Sequence, residues 1–128
     1  MSREGDEVTV TLPRDRAFHP IAHLVLGGVA TRLSLTVDHL DDLRLALDGL
    51  LDLPEREGPV TVALRVVGDT LEASVGPFEV DLRGELEDGT SGEVSLRRLL
   101  DTVVDRVRLT KRDGGDWVEL TKTVRTDV

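Results

Sequence analysis

VDHLDDLRLALDGLLDL, residues Val37 to Leu53, places Leu40, Leu43, Leu47, Leu50 and Leu51 at helical intervals, so the leucines form one apolar stripe. At roughly 100° per residue, Asp41, Asp48 and Asp52 fall on a second stripe beside the first. Arg44 lies between Asp41 and Asp48, within reach of either carboxylate. The spacing predicts a helix with one face in a core and a row of carboxylates along the rim. Such a row is either a solvated acidic face or the edge of a pocket that holds a cation or orients a water. Asp38 is the expected N-cap, and Pro54 and Gly58 mark the end.

On the N-terminal side, residues 1–6 are expected to be a flexible tail. Glu7 to Leu12 alternates, with Val8, Val10 and Leu12 on one side, and predicts a half-buried strand that Pro13 ends. From about Ala17 to Leu33 the spacing turns helical, with Ile21, Leu24, Val25, Gly28 and Val29 as the expected face. Pro20 fits only in the first turn, and Gly27 and Gly28 each cost about 1 kcal/mol relative to alanine.

On the C-terminal side, Pro59 to Val67 alternates, Gly68-Asp69 reverses the chain, and Leu71, Ala73 and Val75 continue the pattern as a hairpin. Gly76-Pro77 is expected to break it, and Val80, Leu82 and Leu86 to form a further short strand. The 87–92 segment is rich in turn residues. Thr90 and Glu93 fit a capping box that opens a helix running to about Val104, with Leu96, Leu99, Leu100, Val103 and Val104 inward. Arg106 to Thr110 and Trp117 to Val124 are the closing strands, joined by a turn over Arg112 to Asp116. Single-striped helices beside alternating strands predict an α+β fold, a two-layer sandwich with helices on one face of a mixed, largely antiparallel sheet. Residues 7–128 are expected to be a single domain.

Composition narrows the function. The net charge of −9 opposes binding to a phosphate backbone. Phe18, Phe78 and Trp117 are too few aromatics for a base-stacking platform, so no nucleic-acid partner is expected. No apolar run is long enough to span a membrane. The charged MSREGDE start has no apolar signal core, which with the absence of cysteine points to a cytoplasmic protein.

At the level of element order the chain resembles the anti-sigma-factor serine kinases of bacterial partner-switching modules, which use the GHKL (Bergerat) ATPase fold of histidine kinases. Two segments carry the resemblance over residues 7–124. Asp41 to Leu51, DDLRLALDGLL, is similar to the family's central helix, where an acidic residue is followed four positions later by asparagine. Leu99 to Val107, LLDTVVDRV, followed by a strand, a Gly-Gly turn and a last strand, is similar to its C-terminal half. The resemblance implies that Asp48 polarises a water as the catalytic residue, and that position 52 holds the Mg²⁺ bridging the phosphates of ATP.

The chain departs from that pattern in ways that bear on ATP. Asp48 is one methylene shorter than the usual glutamate. Asp52 replaces the asparagine and adds negative charge beside anionic phosphates. Where the family has Asp-x-Gly-x-Gly, this chain has Ser74-Val75-Gly76-Pro77-Phe78, so the carboxylate that reads the adenine amino group is missing. A buried amino group losing its acceptor costs about 1–3 kcal/mol. Gly89 and Gly92, flanking Thr90 and Ser91, stand where the family has its phosphate lid. Asp48, Asp52, Gly76, Gly89 and Gly92 are thus the nucleotide-site positions that the resemblance implies, with ATP and Mg²⁺ as cofactors only if the site works.

Outside that pattern, His19 and His23 have the spacing of a two-histidine metal pair, but no third ligand is evident. No nucleophile elbow or calcium loop is present. The favoured expectation is a protein without enzymatic activity that acts by protein–protein contact, nucleotide binding being weakened or lost. The resemblance implies a sigma factor or an anti-sigma antagonist as partner, and homodimerisation. The alternatives are an active serine kinase of an anti-sigma antagonist, and an interaction domain with an unrelated partner.

Overall fold

The computed structural model describes residues 6–31, 35–52, 58–78, 96–112 and 115–123. Strand β1 (Asp6–Pro13) is followed by a 3₁₀ turn (Arg16–Phe18), α1 (His19–Ala30) and α2 (Val37–Leu51). Then come the hairpin β2 (Pro59–Val67) and β3 (Thr70–Phe78), α3 (Leu96–Val103), and the hairpin β4 (Arg106–Arg112) and β5 (Gly115–Thr123). The strands form one five-stranded sheet in the order β1-β2-β3-β5-β4. All four of its ladders are antiparallel.

Alternation separates the two faces of the sheet. Leu12, Val60, Val62, Leu64, Leu71, Ala73, Val75, Val118 and Leu120 point to one side and are buried there against the helices. The helix α2 lies between α1 and α3 and packs on both. It contributes Leu43, Leu47, Leu50 and Leu51 as its spacing predicts, with Ala46 at the closest approach and Leu40 partly buried. Each such leucine stabilises the fold by about 1.5–3 kcal/mol. No polar or charged side chain among the described residues is buried.

Several expectations change. Asp6 already belongs to β1, and the rest of the expected tail lies outside the described residues. The cap of α2 is Thr36, whose Oγ1 accepts from the His39 amide at 3.1 Å; Asp38 sits two positions further on, inside the first turn. The helix over 17–33 is shorter, and its face is rotated. Ala22, Leu26, Val29 and Ala30 are buried, whereas Leu24 is 76% exposed and Ile21 39%. With apolar residues all round, α1 carries no stripe to fix its rotation, and its contacts with α2 do so instead. Pro20 does lie in the first turn.

Gly76-Pro77 does not end the hairpin. β3 runs on to Phe78 with a register shift against β5 between Val75 and Phe78, so the irregularity is absorbed as a bulge. Phe78 is 1% exposed in the core, with the Arg14 guanidinium 5.4 Å from its ring centre. Arg14 also donates to the carbonyls of Pro59 and Pro77, tying the end of β1 to β2 and β3. The short strand expected over Val80 to Leu86 and the capping box at Thr90 lie outside the described residues.

Candidate functional site

Two turns of α1 meet two turns of α2. His23 Nε2 lies 2.7 Å from Asp48 Oδ1. A carboxylate only accepts, so the imidazole donates from Nε2. One turn earlier on α1 and one turn later on α2, His19 Nδ1 is 4.0 Å from Asp52 Oδ1. This pairing of ascending with descending positions means that the helices run antiparallel. Arg16, in the 3₁₀ turn, completes the end of the seam by donating from Nε to Asp52 Oδ1 at 3.2 Å. Arg44 lies on the exposed side of α2, and Asp48 turns to α1.

The energetics of the seam are modest at its open end. The Arg16 side chain is 81% exposed and that of Asp52 40%, so their pair contributes no more than about 1 kcal/mol. In the His23–Asp48 pair the histidine is the more covered partner, 27% exposed against 39% for the aspartate. The pair lies beside the face of α1 that buries Ala22 and Leu26 in the core. Chemically the seam holds two carboxylates on successive turns of one helix, each already facing a cationic or hydrogen-bonding group on the neighbouring one.

The other expected site residues go elsewhere. Gly76 belongs to the cross-strand row Thr11, Thr61, Gly76 on the sheet face away from the helices, where the two threonine hydroxyls are 2.9 Å apart. A Cβ built on Gly76 would come within 2.6 Å of the Trp117 ring, so the glycine is there to let β5 and its indole approach. Arg112 lies over that indole, 4.7 Å from the ring centre. Gly89 and Gly92 lie outside the described residues. The structure thus brings Asp48 and Asp52 together, adds His19, His23 and Arg16 to them, and leaves Gly76 on the opposite face of the sheet.

Asp52, the position implied for the metal, is engaged by Arg16. Asp48, implied for the attacking water, is engaged by His23. No cluster of three or more histidine, aspartate or glutamate side chains among the described residues is arranged to hold a metal ion. His19 and His23 each face a carboxylate of α2 across the helix–helix seam. Its signal in the sequence was the register of His19/His23 with Asp48/Asp52, legible only once the two helices are known to run antiparallel.

No family model matches the sequence. The chain is 26% identical over 144 residues to the serine-protein kinase RsbW of Listeria innocua, covering 97% of this chain and 91% of that protein. It is 26% identical to the RsbW of Bacillus velezensis, covering 95% and 88%, and 24% identical to that of Bacillus subtilis, covering 89% and 84%. Among solved structures, part of the chain holding the RsbU and RsbW domains of Rv1364c from Mycobacterium tuberculosis shares its fold, with a TM-score of 0.64 at 15% identity. That match covers 92% of this chain and 32% of the other, so the chain spans about a third of that protein's length. The chain is thus similar along nearly its whole length to proteins named serine-protein kinase RsbW, and its α+β fold is shared with a solved structure that includes an RsbW domain.

Proposed function

We propose that the protein is a cytoplasmic partner-switching regulator that works by protein–protein contact, with nucleotide binding weakened or lost. Its partners in this reading are a sigma factor or an anti-sigma antagonist, the classes implied by the resemblance to anti-sigma serine kinases. The observation that supports it is the engagement of Asp48 and Asp52 by α1, because a nucleotide has to displace Arg16 and His23 before either carboxylate can serve it. The absence of an aspartate in Ser74 to Phe78 points the same way. Homodimerisation belongs to the same reading, and the exposed Ile21 and Leu24 of α1 are an apolar surface suited to it.

A second reading is favoured by similarity over nearly the whole chain to proteins named serine-protein kinase. In it Asp48 is the base and Asp52 holds Mg²⁺. Calorimetric titration of ATP with Mg²⁺ into the purified protein separates the two. The regulator reading expects no heat and no thermal stabilisation at millimolar nucleotide. Binding tighter than about 1 mM that is lost in Asp52→Ala overturns it in favour of the kinase, whose phosphate transfer then has to disappear in Asp48→Ala.

A further inference from the structure

On the sheet face away from the helices, charges run across the strands in register. One row reads Glu7, Arg65, Glu72, Thr121, Arg106, from β1 to β4. The next reads Thr9, Ala63, Ser74, Glu119, Arg108. The Glu72 carboxylate is 4.0 Å from Arg65. Together the rows line a shallow groove of about 340 Å³. Both rows end at β4 on an arginine.

Those terminal arginines lack what their position calls for. Glu119 is directly opposite Arg108, yet it leans away to pair with Arg112 at 2.7 Å. Arg106 faces a threonine. Both arginines are exposed, and among the described residues neither makes an ion pair. β4, RVRLTKR, carries four cations and no carboxylate in a chain of net charge −9. It is also the last strand of the sheet, and no described strand pairs with its outer edge. Val107 and Leu109 pack on the core from the other face.

We propose that the outer edge of β4 is a docking site for an acidic, extended segment of a partner protein. The segment adds as a strand and places carboxylates at alternate positions beside Arg106 and Arg108. Backbone hydrogen bonds to the edge hold such a segment, and cross-strand neighbours about 5 Å apart select its charge. Two carboxylates separated by one residue continue both rows at once, because side chains of a strand alternate between faces. This surface is on the far side of the sheet from Asp48 and Asp52, so it stands whether or not nucleotide binds there.

The test uses the full chain and a capped peptide of sequence Glu-Val-Glu-Val-Glu-Val, followed by calorimetry and by the fluorescence of Trp117. That tryptophan is the only one in the chain and is paired with Thr110 of β4. The expected result is saturable binding that weakens at least tenfold in Arg106→Glu/Arg108→Glu, with the far-UV spectrum unchanged. The milder Arg106→Gln/Arg108→Gln variant and 0.5 M salt on the unaltered chain are expected to weaken it in the same direction. No saturable binding at millimolar peptide overturns the proposal, leaving the arginines as guards against edge-to-edge aggregation. So does equal binding of a block peptide, Glu-Glu-Glu-Val-Val-Val, or an arginine-dependent self-association without peptide.

Discussion

Gly76 shows how one residue carries a meaning that its neighbours in sequence do not disclose. Beside Pro77 it reads as a strand terminator, and in the family pattern it reads as a glycine that admits a ligand. In the fold it is a gap beneath an indole, flanked by a strand that continues past it to Phe78. An alanine there would put its methyl 2.6 Å from one ring carbon of Trp117 and 2.8 Å from another, with the Asp116 carbonyl at 3.0 Å. The Arg112 guanidinium also packs on the ring, 4.7 Å from its centre. Gly76→Ala is therefore expected to destabilise the protein by about 1–3 kcal/mol, the usual range for overpacking. Chemical denaturation followed by Trp117 fluorescence measures it, and an unchanged midpoint would show that the indole yields. Thr36 teaches a related lesson at the start of α2: Asp38 has the right chemistry for a cap, but the cap is the residue whose backbone is still extended.

At the scale of elements, what was legible depended on whether a face was marked in the sequence itself. The β2–β3 hairpin alternates cleanly, with a glycine of positive φ at its turn, and α2 has its leucine stripe. These read correctly because polar and apolar positions differ along each. α1 is apolar almost all round, so periodicity has nothing to choose between, and of the expected face of Ile21, Leu24, Val25, Gly28 and Val29 only Val29 is buried. Across the seam its His19 and His23 face carboxylates more than twenty positions away. The same limit applied to the candidate site: Asp48 and Asp52 stood out as a row on one helix, whereas Arg16, His19 and His23 arrive from another. The assignment of faces on α1 is directly measurable. Leu26→Ala, at a residue 2% exposed, is expected to cost about 2–5 kcal/mol. Leu24→Ala, on the exposed side, is expected to stay within about 0.5 kcal/mol. Equal losses in urea titrations would mean that α1 is turned the other way.

At the scale of the whole molecule, charge divides the two proposed contact surfaces into opposite classes. Every protomer carries −9, so two copies repel at low ionic strength. α1 has no aspartate, glutamate, lysine or arginine between His19 and Ala30, and an association through Ile21 and Leu24 gains nothing from charge attraction. Salt then acts only on the background repulsion, whose range falls from roughly 30 Å at 0.01 M to 10 Å at 0.1 M. Self-association through α1 is therefore expected to strengthen as salt is raised over that interval, and to be lost in Leu24→Glu. Contact of an acidic segment with the β4 edge depends on attraction to Arg106 and Arg108, and the same increase in salt weakens it. Sedimentation equilibrium across a salt series, with and without the alternating peptide, reads both trends in one preparation. A protein that self-associates more weakly as salt rises is held together by charge rather than by α1, and the apolar helix face is then not the contact between its copies.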